Sequence, residues 1–265
     1  MPKIQRVAVG DTVLAAQTDG DESLPWAIFS NSLAGSMASW ESQVADFTKS
    51  RRVLRYDTRG HGQSSTPGGP YSFNDLVSDL VGLMDHFAIE SADIVGLSMG
   101  GMTALGLAID HPSRVKRIVC CDARSDAPQP FIDSWNARAA SVRADGMSGV
   151  VDFSLERWFT PAFHASHPDV VRQAGDMIRS TDPNGYIACT EALKRLDYKK
   201  DLGSIEAPTL FVVGAQDQAA PAAVMREMSE LTPNARFVSI DPGAHICNME
   251  NPSAFNREAR GFLES

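Results

Sequence analysis

The chain has 265 residues, 43% of them apolar, which suits one large α/β domain or a domain carrying an insert. Its 24 Lys and Arg stand against 33 Asp and Glu, a formal charge of −9 with no basic stripe, which argues against nucleic acid and anionic membranes as partners. The opening Met1-Pro2-Lys3-Ile4 lacks the apolar run of a signal peptide, no stretch could span a bilayer, and the four cysteines (Cys120, Cys121, Cys189, Cys247) fit neither a metal spacing nor a disulfide framework, so a reduced, cytoplasmic setting is expected.

In chain order, residues 4–9 and 12–17 read as short strands around a Gly10-Asp11 hairpin turn. Residues 26–30 form a buried strand that empties into the small-residue loop Asn31-Ser32-Leu33-Ala34-Gly35-Ser36. Residues 40–49 are amphipathic and helical, and 52–56 are the next strand, followed by the loop from Asp57 to Ser64. Ser72 and Asp75 make a capping box for a long helix with Leu76, Leu80, Leu83 and Phe87 as its buried stripe. Strands follow at 92–95 and 115–121, with a helix between them ending near His111-Pro112. From about residue 124 to 200 no strand is evident, and helical, aromatic-bearing pieces punctuated by prolines suggest an inserted helical lid. The sheet resumes at 209–213 and 236–240, with a helix over 222–231 and a last helix opened by Asn251-Pro252. The expected division is an α/β core of residues 1–123 and 201–265 with a lid of residues 124–200. Alternating strands and helices imply a mostly parallel sheet covered on both faces, with any site at the strands' carboxyl ends.

The most informative stretch is Asp93-Ile94-Val95-Gly96-Leu97-Ser98-Met99-Gly100-Gly101. Gly-x-Ser-x-Gly arises by chance about 0.1 times in a chain of this length and composition. Here a strand enters the motif and a small-residue helix leaves it, as a nucleophile elbow requires. A Cβ at position 96 or 100 would collide with neighbouring backbone, so Ser98 is the expected nucleophile. A serine hydroxyl needs a base within hydrogen-bond reach. Of six histidines, His245 in Asp241-Pro242-Gly243-Ala244-His245 follows the last strand, where the base stands when the order is serine, acid, histidine. Asp217, just past the 209–213 strand, is the expected acid; Asp122, which also ends a strand after Ser98, is the rival, and Asp57 reads as structural. The N–H groups of Met99 and Leu33 are the expected oxyanion donors. No P-loop or Gly-x-Gly-x-x-Gly is present, and neither cofactor nor metal is expected.

These residues resemble the pattern of the α/β-hydrolase family, which implies an eight-stranded sheet with an inserted lid. Within it the chain is similar to 3-oxoadipate enol-lactonases. The segments that carry this are Ser30-Asn31-Ser32-Leu33, Leu54 to Gly62, Gly96 to Met102, Trp135-Asn136-Ala137-Arg138, Trp158 to Phe163 and Gly185 to Cys189. The resemblance implies a cytoplasmic, cofactor-free enzyme that hydrolyses a small carboxylate-bearing enol-lactone. Ala34 departs from it where glycine is expected, and Cys120-Cys121-Asp122-Ala123-Arg124 departs at the lid entrance. A substrate carboxylate should meet a cation, with Arg138 and Arg124 as candidates and Trp135 and Trp158 as apolar walls. Other readings are a carboxylesterase or lactonase for small acyl compounds, and a ligand receptor on the same scaffold. A dehalogenase is disfavoured because serine, not aspartate, occupies the elbow.

Overall fold

The computed structural model describes residues 3–265; Met1 and Pro2, with the reading of the chain's opening as free of a leader, lie outside the described residues. The strands are β1 Gln5–Val9, β2 Thr12–Asp19, β3 Trp26–Ser30, β4 Arg52–Tyr56, β5 Ala92–Leu97, β6 Val115–Cys121, β7 Thr209–Gly214 and β8 Ala235–Ile240. They form one eight-stranded sheet in the order β1-β2-β4-β3-β5-β6-β7-β8. β1 and β2 are antiparallel because the two-residue turn Gly10-Asp11 joins them, with Gly10 at φ +53. β2 also meets β4 antiparallel, and β3 to β8 are parallel throughout. Every residue of β5 and of β7 is buried, as a strand covered on both faces demands.

The covering helices are α1 Glu41–Phe47, α2 Phe73–His86, α3 Met99–Asp110, α9 Ala222–Leu231 and α11 Pro252–Leu263, with one-turn α10 Cys247–Glu250 just before α11. α1 packs on α11, and α2 on α3. The expected capping box opens α2: Ser72 Oγ accepts the Asp75 N–H and the Asp75 carboxylate accepts the Ser72 N–H. Leu76, Leu80 and Leu83 are buried. Phe87 lies just past the helix end at His86 and is half-buried, still packed against the core before the chain turns at Ala88, φ +52. The helix expected over 40–49 is shorter, since Met37–Trp40 form a 3-10 turn that leads into α1.

Between β6 and β7 come α4 Gln129–Asp145, α5 Ser148–Trp158, α6 Pro161–Ser166, α7 Pro168–Arg179 and α8 Pro183–Lys194. Pro161, Pro168 and Pro183 open helices rather than break them, since a first-turn residue needs no N–H partner. The two ends of this segment meet. Asp126 and Asp197 form an antiparallel bridge, and Tyr198 N–H donates to Ser125 O at 2.7 Å. Five helices therefore leave and rejoin the sheet at one place, above the carboxyl ends of β3, β5, β6 and β7. No helix among the described residues is long and apolar enough to cross a membrane.

Candidate active site

β5 runs directly into Ser98, held at φ 54 and ψ −115, and α3 starts at the next residue. A serine in this sparsely populated region costs about 1–3 kcal/mol and persists only where its surroundings enforce it. Here they do. A Cβ on Gly96 would lie 2.3 Å from Gly100 O, and one on Gly100 would lie 2.2 Å from Ser30 O. The tight crossing of strand and helix lifts the Ser98 hydroxyl out of the sheet into a cavity, half-exposed.

Ser98 Oγ lies 3.0 Å from His245 Nε2, and His245 Nδ1 lies 2.9 Å from Asp217 Oδ2. A carboxylate only accepts, so Nδ1 carries the proton and Nε2 is free to take one from the serine. Asp217 also accepts the Ala219 and Ala220 N–H groups, at 2.7 and 3.2 Å. Burial works to raise its pKa, but His245 and these amides outweigh burial and hold the carboxyl below its usual range. Asp122 does not take this place: it accepts the Gly214 N–H on Oδ1 and the Cys247 thiol on Oδ2, and the imidazole bonds to Asp217. Asp122, Asp217 and His245 also form a set close enough to share a metal ion, but the imidazole nitrogen facing Asp217 is already committed as a donor.

The loop after β3 supplies the rest of the rim. Ser32 to Gly35 is a turn closed by Gly35 N–H donating to Ser32 O at 2.9 Å, with Ala34 at φ 61 in its third position. That position needs positive φ, which accounts for the expectation of glycine there. Leu33 lines the cavity on this turn, and Met99, as the first residue of α3, has an N–H with no intrahelical acceptor.

The cavity is bounded by Ser98 and His245 at its floor and by the helices between β6 and β7 above. The four residues expected to meet substrate, Trp135, Arg138, Trp158 and Arg124, all line it. They are not equivalent. Arg124 leans on Asp126 at 3.5 Å. Arg138 has no carboxylate partner among the described residues, and its buried Nε has no hydrogen-bond partner. It lies 4.3 Å from the Trp135 ring centre and 4.5 Å from that of Phe153. Burial pushes its guanidinium below the ordinary value, the Tyr186 hydroxyl opposes that, and the like charge of Arg157 adds to it.

Three contributors were not foreseen. Arg157 and Tyr186 line the cavity beside Arg138. Glu250, buried, accepts the Thr160 N–H at 3.1 Å, the Thr160 hydroxyl, and the Ala244 N–H at 2.8 Å. It ties the α5–α6 junction to the residue before His245. Backbone bonds run in parallel: His245 N–H to Arg157 O, and Ile246 N–H to Trp158 O. The loop that carries the imidazole is thus fastened to the wall that carries Arg157 and Trp158. Arg157 and Tyr186 sit beside or within lid segments already singled out, so proximity to Trp158 was an available signal for the first. Glu250 has none, because its partner Thr160 is 90 residues away.

A family model described as alpha/beta hydrolase fold matches residues 25–252. The chain belongs to the α/β-hydrolase family. This α/β-hydrolase is 35% identical over 254 residues to 3-oxoadipate enol-lactonase 2 of Acinetobacter baylyi, covering 96% of this chain and 94% of that protein. It is 34% identical over 252 residues to 3-oxoadipate enol-lactonase 1 of the same organism, covering 95% and 93%. The crystal structure of the enol-lactonase from Burkholderia xenovorans LB400 superposes with a TM-score of 0.96 at 38% identity, covering 98% of this chain and 100% of that one. The remaining strand-end groups of this α/β-hydrolase have structural partners. Asp57 accepts the Met37 and Gln63 N–H groups, both at 2.8 Å, as its structural reading anticipated. His61 is fully buried, and its Nδ1–H donates to Arg59 O.

Proposed function

We propose that the chain hydrolyses a small enol-lactone bearing a carboxylate, of the 3-oxoadipate enol-lactone type, through an acyl-enzyme on Ser98. The observation that carries the reading is the Ser98–His245–Asp217 relay, at 3.0 and 2.9 Å, facing across one cavity an arginine that has no carboxylate partner among the described residues. The enol-lactonase names of the relatives supply the substrate class. Ser98 attacks the lactone carbonyl while His245 Nε2 takes its proton. The Met99 and Leu33 N–H groups receive the oxyanion. The tetrahedral intermediate collapses, the ring C–O bond breaks, and His245 returns the proton to the departing enol oxygen. The freed enol tautomerises to a ketone, which makes ring opening hard to reverse. Water then enters and attacks the acyl carbonyl as His245 takes its proton; the bond to Ser98 breaks and His245 returns the proton to the Ser98 oxygen, which frees the acid and restores the site. Arg138 holds the substrate carboxylate, with Trp135 and Trp158 as walls and Arg157 as a second cation; Arg124 plays the lesser part because Asp126 engages it. The reading takes residues 124–200 as a lid over a core made of 1–123 and 201–265.

The test is a hydrolysis screen of carboxylate-bearing lactones, neutral lactones and linear esters, with Ser98→Ala as control. Preference for the carboxylate-bearing lactone by 10²-fold or so in kcat/KM agrees with one charge-assisted arginine contact. Equal turnover of neutral linear esters favours a general carboxylesterase, the reading that the apolar walls Phe131, Trp135 and Trp158 support. No turnover of any compound would favour a ligand receptor.

A further inference from the structure

Asp122 is the buried titratable group the mechanism leaves unused. It directly follows β6, at φ +47, and is fully buried. One oxygen accepts the Gly214 N–H at 2.8 Å, and the other accepts the Cys247 thiol at 3.1 Å. Carboxyl oxygens of Asp122 and Asp217 and a nitrogen of His245 all lie within 4.8 Å of one another. The titratable groups that face Asp122 are Cys120 and Cys121 of β6, Cys247 of α10, Asp217 after β7 and His245 after β8. No lysine or arginine is among them.

Two carboxyls this close, in a buried site whose one basic partner is an imidazole, cannot both ionise near neutral pH. The charge goes to the group with the better donors. Asp217 has the imidazole N–H and two amides, while Asp122 has one amide and a weakly donating thiol. We propose that Asp122 is a positioning residue: a neutral carboxylic acid at neutral pH whose O–H donates to Asp217 and fixes that carboxylate against His245. Burial, followed by the charge of Asp217, pushes the Asp122 carboxyl well above its usual range, which agrees with this geometry. Cys247 stays a thiol, since burial and the neighbouring carboxyls raise it too. The positioning role rests on the proposed triad; the protonation state does not.

Three measurements test it. In the unfolded chain Asp122 ionises near pH 4, whereas the folded protein retains its proton, so wild-type stability falls as pH rises between those limits. Asp122→Asn cannot titrate. The ratio of unfolding constants, wild type over Asp122→Asn, is expected to rise about tenfold per pH unit from pH 5 to neutral pH. A flat ratio overturns the proposal. Infrared spectra of wild type at pH 7 should contain the carbonyl stretch of a buried protonated acid that Asp122→Asn lacks; its absence overturns the proposal even if the variant folds poorly. With p-nitrophenyl acetate, Asp122→Leu should lower kcat about tenfold, one net hydrogen bond, at unchanged KM. Asp122→Asn, which retains a neutral donor, should recover most of that loss. Equal losses in both variants overturn the positioning role. If the triad itself were misassigned, Ser98→Ala would turn over like wild type while the infrared band persisted.

Discussion

Replacing Glu250 with alanine should uncouple the imidazole loop from the helices above it. Two buried amides, Thr160 N–H and Ala244 N–H, lose their acceptor, at 3.1 and 2.8 Å in the intact protein. Each buried donor left without a partner costs about 1–3 kcal/mol. The Thr160 hydroxyl also loses its acceptor, but its oxygen still accepts the Phe163 N–H as the cap of α6, so it adds less. The sum is roughly 2–6 kcal/mol; at about 2–4 °C per kcal/mol for a protein of this size, the melting temperature falls by roughly 4–24 °C. Glu250→Gln keeps one carbonyl acceptor and turns an amide N–H₂ toward the other donor, so its melting temperature should fall between wild type and alanine. Because Ala244 precedes His245, kcat should drop along with stability at temperatures where the variant remains folded. Differential scanning calorimetry and initial rates on one ester substrate make the comparison. A Glu250→Ala protein that melts within 2 °C of wild type would refute the clamp.

Arg138→Met keeps most of the side chain's apolar stem and removes its charge. It should raise KM for a carboxylate-bearing lactone by roughly 10–10³-fold, with little change for p-nitrophenyl acetate, as steady-state kinetics on the two substrates would show. Ala34→Gly should relieve the left-handed strain at φ 61, about 1–2 kcal/mol, less the chain entropy glycine adds to the unfolded state, about 0.4–1 kcal/mol. Thermal melts should therefore show a rise of up to about 6 °C. His61 is buried neutral, and desolvation lowers its pKa from 6.5 to about 4. As pH falls below 6.5 the unfolded chain takes up a proton that the folded protein refuses. Stability present at neutral pH is thus lost toward pH 4, by about 3 kcal/mol at 1.36 kcal/mol per unit. His61→Asn, which keeps a donor for Arg59 O, should lack that increment in denaturant melts run at pH 7 and pH 4.

The elbow was legible in sequence because its rules are local. Gly96 and Gly100 are forced by backbone atoms four residues away or across one strand, and the strand-to-helix switch is written in the flanking residues. His245 and Asp217 were legible from chain order and from their places just past β8 and β7, since an α/β sheet gathers its carboxyl-end loops on one rim. The capping box of α2 and the Asn251-Pro252 start of α11 are also local patterns. What the sequence did not carry is the pairing between distant loops. Glu250 reaches Thr160, and Asp122 reaches Gly214, 92 residues on. Glu250 differs in neither type nor spacing from a surface carboxyl, and the strand-end place of Asp122 marked it as a site candidate without naming its partners. Arg138 and Arg124 read alike as candidate partners of a substrate carboxylate; only the position of Asp126 relative to the folded cavity separates them. Phe87 is half-buried where full burial was expected, because the helix ends one residue before it and the chain turns at Ala88, a residue with no turn signature.

The account stands on Ser98 as the nucleophile. The most direct measurement is mass spectrometry of the protein after brief exposure to a serine-reactive fluorophosphonate, with turnover of Ser98→Ala measured alongside. One label on the peptide that contains Ser98, no label on Ser98→Ala, and a fall in kcat of roughly 10⁶ are expected. A label on another residue, or a Ser98→Ala protein that turns over at a rate near wild type, would contradict the account.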